Sequence, residues 1–412
     1  MKNILFAIVL AAIPATLPAQ EFSTATMRPI TLGEACALSL AKSETLAQQT
    51  EGIKQLEAAE RQIASAFRPS FDLNANQYKQ ENIPSVTKGY VSGGYSLFSG
   101  MRDYIAVKAS AAKTGAASLA LERARQELYL GVTHAYLNLF SAQQEVFIRL
   151  DQIKVTAKRI TELEAREDIG RSRKSEVVAA RTQLAQDKAN YLNSAAAERL
   201  AQQALIFLTG LEADLAPAEL LQRNGESLET YLKTVLSRPD VAASRKTLEA
   251  YDYLADIQDR NLWPTVNLSA DYYVLHSRVT SPADWDGAVA LKVPLYTGGT
   301  AQAQKDSANA AKRSAALALQ LVERQALTEV RSAHEEHKYS ILQEASLKDA
   351  LALAQDNARY QQEDYKLGLV TNLDVLSALN SVLQTRLALS QAKVQERLTL
   401  LTLETAAGME IK

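Results

Sequence analysis

Two hydrophobic patterns alternate along the chain. Long segments without proline carry apolar residues at intervals of seven, among them Val132, Leu139, Val146, Ile153 and Ile160, and later Val375, Val382 and Leu389. This spacing predicts helices that pack against one another as coiled coils. Four segments of about ten residues instead alternate between apolar and small polar residues, which predicts strands with one apolar and one polar face. The pattern therefore predicts a mainly α fold with a small β part.

The same order of segments occurs twice, which predicts an internal tandem repeat. The first unit covers 31–211, the second covers 227–409, and 212–226 is a linker between them. Four separated matches keep one order in both units: Phe67–Leu73 with Leu262–Leu268, Leu97–Gly100 with Leu295–Gly298, Ile169-Gly170 with Leu367-Gly368, and Leu208–Leu211 with Ala406–Met409.

Each unit has the same predicted layout. The first contains a helix over Leu32–Ala66, a β-hairpin over 70–98, a long helix over 101–169, a tip turn over 170–174 and a helix over 175–209. The second contains a helix, a hairpin over 265–296, a long helix over 300–367, a tip turn over 368–373 and a helix over 374–407. A helix of nearly seventy residues extends about 100 Å. The two shorter helices of a unit, stacked end to end, would cover that length.

The predicted strands have the length that a tilted membrane strand needs. A half-buried sheet in a soluble protein gives the same alternation, so alternation alone leaves both readings open. Four strands per chain cannot close a barrel, and unpaired edges cannot face lipid; three chains would supply twelve strands around a lumen. Aromatic residues near the predicted strand ends fit an interfacial girdle: Tyr78, Tyr90, Phe98, Trp263, Trp285 and Tyr296.

The first nineteen residues have the pattern of a secretory signal. A charged start precedes the apolar run Ile4–Ala12, and Leu17-Pro18-Ala19 gives a cleavage site before Gln20, so 1–19 is predicted to be a signal peptide. The single Cys36 cannot form an internal disulfide and lies too far past the apolar run for a lipoprotein cysteine. We expect it to be buried on a helix face.

Charge and motifs exclude several classes of function. The net charge is −2 and the 45 basic residues are spread along the chain, which argues against a nucleic-acid partner. No phosphate-binding glycine loop, cysteine cluster or nucleophile elbow occurs, so we expect neither an enzyme nor a cofactor. His334-Glu335-Glu336-His337 places two histidines three apart, a spacing that could hold Zn²⁺ or Cu²⁺ with a third ligand. A solvated face of a charged helix is the favoured reading, and no metal site is expected.

In order and spacing, these pieces resemble the TolC outer-membrane efflux protein family over nearly the whole mature chain. The resemblance rests on the doubled helix–hairpin–helix plan, on Pro69 and Pro264 before strands, on Phe98-Ser99-Gly100 and Tyr296-Thr297-Gly298-Gly299 after them, and on the two tip turns. It implies a homotrimer in the outer membrane of a Gram-negative bacterium. A shared twelve-stranded barrel, four strands per chain, would span the lipid, and a long helical barrel would reach into the periplasm.

The resemblance also implies a passive exit duct for efflux or type I secretion. The tip turns would dock onto a periplasmic adaptor bound to an inner-membrane pump, through Gly170, Arg171 and Ser172 in the first turn and Gly368, Leu369, Val370 and Thr371 in the second. A periplasmic coiled-coil tether and an autonomous porin are the alternative functions. The strands argue against the tether and the very long helices against the porin.

A periplasmic gate is implied at three residues: Asp374, Glu176 and Tyr365. From the residues alone, the tip glycines are helix C-caps with positive φ, and both acids suit the first turn of a helix; these roles are compatible with a gate. Two positions depart from the family pattern. Ser377 stands where a second acid is common, so the ring carries less charge, and Val370 stands where a basic residue sometimes completes the latch, which leaves the gate's bonding pattern open.

Overall fold

The computed structural model describes residues 28–81, 83–211, 213–218, 225–276 and 283–409. The predicted signal peptide and residues 212 and 219–224 of the predicted linker lie outside these ranges. Within them the helices are α1 (Leu32–Lys42), α2 (Glu44–Ala64), α3 (Arg102–Asp168), α4 (Lys174–Thr209), α5 (Leu228–Thr234), α6 (Pro239–Asp259), α7 (Thr300–Leu367) and α8 (Asn372–Ala406). The strands are β1 (Arg28–Ile30), β2 (Ser70–Gln80), β3 (Ile83–Phe98), β4 (Leu215–Pro217), β5 (Thr265–Leu275) and β6 (Trp285–Lys292).

The two long helices dominate the molecule, as the proline-free segments predict. Helix α3 has 67 residues and α7 has 68, so each extends about 100 Å at the rise of an α-helix. Glycines with positive φ adjoin both ends, Gly100 and Gly170 around α3 and Gly299 and Gly368 around α7. Among the described helices, none is long and apolar enough to cross a membrane.

At each end of the two long helices, two shorter helices pack beside them, which gives a row of four helices. Towards the sheet the row runs α2–α3–α6–α7, and towards the turns it runs α4–α3–α8–α7. Stacked pairs, α2 with α4 and α6 with α8, therefore follow the long helices. Of the predicted seam residues, Val132, Leu139 and Ile160 in α3 and Val375 and Leu389 in α8 are buried.

The predicted helix over Leu32–Ala66 is two helices. Ser43 separates α1 from α2 with an extended backbone, and its hydroxyl accepts a hydrogen bond from the Leu46 amide at 3.3 Å. The break follows from helix-cap chemistry, because serine at this position satisfies an amide that the helix itself leaves unpaired.

The sheet consists of two hairpins joined edge to edge. Its order is β2–β3–β5–β6, all antiparallel. Residues paired across the four strands share a face, and one such row is apolar while the next is polar. The apolar row is Leu73, Val91, Tyr272 and Trp285, and the adjacent polar row is Asp72, Ser92, Asp271 and Asp286.

Two strand predictions were wrong in detail. Strand β6 ends at Lys292, so Tyr296 lies beyond it and the second hairpin is shorter than 265–296. Pro294 explains the early end, since it has no amide to donate to a neighbouring strand. Tyr90 lies inside β3 rather than at its end, with its ring centroid 5.6 Å from that of Tyr273.

A short parallel pair of strands, β1 with β4, forms part of the core midway along the helices and was not predicted. Tyr136 on α3 fastens it: its hydroxyl donates to the Ile30 carbonyl and accepts from the Ala218 amide, both at 3.1 Å. Cys36 packs in the same cluster. It is 3% exposed, as predicted for a buried helix-face residue, and burial raises the pKa of its thiol to about 12.

The His334–His337 segment is not uniformly solvated, which corrects the sequence reading. His337 is buried, with Nδ1 3.3 Å from the Thr399 hydroxyl and Gly225 packed against its other ring nitrogen. Burial lowers the pKa of His337. The described residues contain no group of potential ligands arranged to hold a metal ion.

Candidate functional site

Both tip turns begin with a glycine that ends a long helix. Gly170 has φ of 72° and Gly368 has φ of 79°. After each glycine the next amide reaches back to the preceding turn, from Arg171 to the Arg166 carbonyl at 2.7 Å and from Leu369 to the Asp364 carbonyl at 2.9 Å. This is the left-handed cap that glycine forms without steric cost, so the predicted cap role of the two glycines is confirmed.

In the second turn, Asp374 belongs to a capping box. Its Oδ2 accepts hydrogen bonds from the Thr371 amide at 2.8 Å and the Thr371 hydroxyl at 2.7 Å, and its own amide donates to that hydroxyl. These bonds, the hydroxyl's first, lower the pKa of the exposed Asp374 carboxyl. The box satisfies amides at the start of α8 that have no partner within the helix.

In the first turn, the corresponding acid makes a different set of contacts. Arg173 occupies the N-cap position of α4 and supplies no side-chain cap. The Glu176 Oε2 instead accepts from the Tyr365 hydroxyl at 2.8 Å and from the Ser172 hydroxyl at 2.9 Å. The end of α7 is thereby tied to the start of α4. Burial, and then the bond to Glu176, raises the pKa of Tyr365.

Two arginines of α3 lie over the Tyr365 ring. The guanidinium carbon of Arg159 is 4.3 Å from the ring centroid and that of Arg166 is 5.0 Å, within the range of cation–π attraction. Arg159 also donates from Nε and Nη2 to the Asn372 Oδ1, at 3.1 and 3.0 Å. Tyr365, Glu176, Arg159 and Asn372, here called the tip cluster, thus join α7, α4, α3 and α8.

Apolar residues support the tip cluster from within the bundle. Ile160, Leu163, Val177, Ala180 and Val375 are buried around Tyr365, and Val370 packs against them. The position where the family sometimes has a basic residue therefore carries a packing residue in this chain. The basic partners of the tyrosine come from α3.

The structure brings two of the three predicted gate residues together and leaves the third apart. Glu176 and Tyr365 share a hydrogen bond, whereas the carboxylate of Asp374 bonds only within its own turn among the described residues. Sequence reasoning missed Arg159 and Asn372. The sequence gives no signal for Arg159, because Lys154, Lys158 and Arg166 lie in the same segment of α3.

At the tip surface, apolar side chains stand in solvent. Of the predicted docking residues, Leu369 and Arg171 are exposed, and so are their apolar neighbours Ile169, Leu367 and Leu373. Exposed apolar clusters of this kind are typical of surfaces that bind other proteins.

The chain is similar to proteins of known class. A family model described as outer membrane efflux protein matches residues 231–409. The outer membrane efflux protein BepC of Brucella suis biovar 1 (strain 1330) is 25% identical over 343 residues, which is 80% of this chain and 74% of BepC.

Solved structures share the fold over most of the chain. The outer membrane protein VceC of Vibrio cholerae has a TM-score of 0.82 at 23% identity, covering 92% of this chain and 96% of VceC. The MtrE outer membrane channel of Neisseria gonorrhoeae, solved in an open state, has a TM-score of 0.79 at 19% identity, covering 92% of this chain and 89% of MtrE. The chain is therefore similar to outer membrane efflux proteins in sequence, with the family model matching its second half, and it shares the fold of the solved outer membrane channels over most of its length.

Proposed function

We propose that three copies of this chain form a closed exit duct, the outer-membrane component of a tripartite efflux or type I secretion system. The observation that carries the proposal is that, in the described residues, each layer of the chain ends on two uncovered edges, apolar helix faces in the bundle and unpaired strands in the sheet. Such edges are unstable in a monomer and are satisfied when identical chains close into a ring, each edge meeting the opposite edge of the next copy.

The helical edges are formed by α4 and α7. On α7, exposed Tyr339, Leu353, Tyr360 and Leu367 are spaced by multiples of seven, and Leu353 is 70% exposed. The facing stripe on α4 comprises Val178, Leu192, Leu200 and Phe207, with Phe207 85% exposed. Packing α7 of one copy against α4 of the next would bury both stripes and close a helical barrel.

The sheet edges are β2 and β6, each with one side unpaired among the residues that the structure describes. Pairing β2 of one copy with β6 of the next would give twelve strands and remove every edge. The apolar row through Leu73 and Trp285 would then face lipid, and the polar row through Asp72 and Asp286 would face the lumen. This two-faced arrangement suits a barrel wall in an outer membrane.

At the other end of the duct, the tip cluster would act as a latch. The Tyr365–Glu176 bond ties α7 to α4, and three copies of Asp374 would line a periplasmic mouth. The two turns, from Gly170 to Ser172 and from Gly368 to Thr371, would receive a periplasmic adaptor. Substrate choice would belong to the pump, because the duct itself performs no chemistry.

We also infer that the two halves, 31–211 and 227–409, are copies of one unit. Supporting this, a cation covers the carboxyl end of the last helix in each half. Lys42 donates from Nζ to the Gly210 carbonyl at 2.7 Å, and Arg238 donates to the Ala406 carbonyl at 3.0 Å while packing against Gly408. Both glycines have positive φ, and a cation at this end suits the helix dipole.

Assembly tests the proposal directly. Purified from outer membranes in mild detergent, the protein is expected to be a trimer by light scattering. Leu353→Asp places a charge in the α7 stripe and should yield monomers, while Gln355→Asp, an exposed position on the opposite side of α7 from the stripe, should leave the trimer intact. A monodisperse wild-type monomer with native strand content would refute the closed duct. Recovery in the soluble periplasmic fraction would favour the coiled-coil tether, and transport without an adaptor would favour the porin.

A further inference from the structure

The strongest unexplained feature is a buried cation in the tip cluster. Arg159 is 7% exposed, and its carboxylate neighbour Glu162, with Oε2 3.4 Å from Nη1, is half in solvent. Its two shortest contacts go instead to the neutral Asn372 Oδ1, and Asn372 is 2% exposed. Burying an arginine against a neutral amide costs desolvation that a leucine at the same position would avoid.

Packing does not require that cation. Leu163, Val177 and Val375 are fully or almost fully buried beside it, so an apolar residue at 159 would extend an existing core. An apolar seam, however, resists separation because opening it exposes hydrocarbon to water. Polar contacts can be exchanged for water with a smaller net change in free energy. The composition of the cluster thus suits a joint that opens and closes.

The geometry assigns Arg159 to that joint. Its guanidinium touches the face of Tyr365 at the end of α7 and the side chain of Asn372 at the start of α8. Tyr365 in turn donates to Glu176 at the start of α4. Any movement of the α7–α8 turn away from α3 must therefore break the arginine contacts, whereas movement away from α4 breaks the tyrosine bond and the weaker bond from Asn380 to Gln183 at 3.4 Å.

We propose that Arg159 is the positioning residue of the latch, holding the α7–α8 turn against α3 and orienting Tyr365 towards Glu176, so that its contacts set the balance between closed and open tips. This inference rests on the proposed duct function. It differs from a latch made by the tyrosine and the acid alone, because a cation on α3 then controls the opening of the α7–α8 turn. Its bond to Asn372 spans 213 residues of the chain.

The test is basal conductance of purified protein in planar lipid bilayers. Arg159→Gln removes the cation and should raise the open fraction by roughly tenfold or more, the scale expected for losing charge-assisted bonds. Arg159→Lys keeps the charge but cannot donate twice to one oxygen or stack as a plane, so it should restore closure only partly. Arg166→Gln removes the second cation over the Tyr365 ring. Among the described residues Arg166 makes no hydrogen bond to Asn372, so this substitution should change conductance less than Arg159→Gln. Arg149→Gln, paired with Glu145 elsewhere on α3, is the control and should match wild type.

A variant that lowers basal conductance distinguishes a latch role for Arg159 from a merely structural role. Asn372→Asp places a carboxylate against Arg159 at the first position of a helix, where an acid is favoured, and should lower basal conductance below that of wild type. This variant retains the contact and is expected to fold even where Arg159→Gln assembles poorly. Conductance at or above the wild-type value for Asn372→Asp would overturn the proposal.

The remaining outcomes distinguish this inference from the function on which it rests. If Arg159→Gln conducts like wild type while Tyr365→Phe leaks, the latch exists and Arg159 does not position it. If neither variant leaks although the trimer conducts, the gate lies elsewhere and both assignments fail. If no trimer or conductance is found for wild type, the proposed duct itself fails.

Discussion

Glu176 and Asp374 occupy the same place in two similar turns and do different things. Each is the third residue of its helix, α4 or α8. Asp374 closes a capping box with Thr371, whereas Glu176 accepts from Tyr365 and Ser172. The residue at the N-cap accounts for the difference: a threonine hydroxyl engages the acid locally, while Arg173 offers no such group and leaves the acid free to bind another helix.

The residue before each N-cap reinforces this contrast. Ser172 donates to Glu176 and so orients it towards Tyr365, while Val370 packs into the buried cluster and fixes the second turn by apolar contact. The first turn therefore makes a hydrogen bond to a neighbouring helix, whereas the second turn is held in place by its own contacts. Four substitutions test that distinction.

The largest effect is expected from removing the bonded acid. Glu176→Ala leaves the Tyr365 hydroxyl without its carboxylate partner, and a bond to a charged group contributes ~1.5–3 kcal/mol. Basal conductance in planar bilayers should rise by roughly tenfold or more. Glu176→Gln, which keeps a neutral acceptor, should leak less. Equal conductance for Glu176→Ala and wild type would mean that the first turn is no more a latch than the second.

A smaller effect is expected from the glycine that ends α7. A Cβ at Gly368 would meet no atom within 4 Å, so Gly368→Val acts through backbone conformation alone, at a cost of roughly 1 kcal/mol or more for a branched residue at positive φ. Adaptor binding, measured by co-purification or interferometry, should weaken while membrane insertion stays normal. Gly368→Asn tolerates positive φ better and should bind more like wild type. Undiminished efflux by Gly368→Val at normal protein level would contradict the docking assignment of this turn.

Removing the Thr371 hydroxyl should weaken the N-cap of α8 and leave Asp374, like Glu176, without a hydroxyl partner at the N-cap. Thr371→Val deletes the hydroxyl and is expected to lower the free energy of unfolding at the start of α8 by about 1 kcal/mol. Hydrogen exchange of the first α8 amides should report it, with the uncapped first turn of α4 as the internal reference. Protection unchanged by Thr371→Val would show that the box does not hold this turn.

The smallest effect on folding is expected from Asp374→Ala. If three copies face one mouth, the substitution should weaken cation preference and block by divalent or trivalent ions in bilayer recordings, with little loss of stability. Because the folded pKa of Asp374 is lowered, its contribution is present at neutral pH and disappears as pH falls through that lowered value. Cation selectivity should decline in the same acidic range. Unchanged selectivity and block would leave Asp374 as a cap alone.

Local chemistry in the sequence was enough to predict the long helices and their ends. Absence of proline specifies α3 and α7, and Gly170 and Gly368 specify the turns because only glycine adopts positive φ without strain. The same local rules place Glu176 and Asp374 in first turns. They also allow a local cap for Asp374, but they cannot predict the partner of Glu176, because Tyr365 lies 189 residues from it along the chain.

The missed elements share that cause. Strands β1 and β4 have three residues each, too few to show a period of two, and their pairing joins distant segments. Arg159 and Asn372 meet only when α3 and α8 pack side by side. The end of β6 was predicted wrongly for a different reason. Pro294 is present in the sequence and excludes a longer strand, but the alternating pattern continues past it.

The burial of Cys36 determines whether this thiol can form a disulfide with another copy of the chain. An exported protein folds in an oxidising compartment, where exposed thiols form disulfides. Once α1 has packed, a thiol that is 3% exposed with a pKa of about 12 remains protonated and out of contact with other disulfides, and only the thiolate attacks a disulfide. Covalent cross-linking of copies is therefore confined to the interval before folding, and thiol oxidants added to the native protein should leave it unmodified.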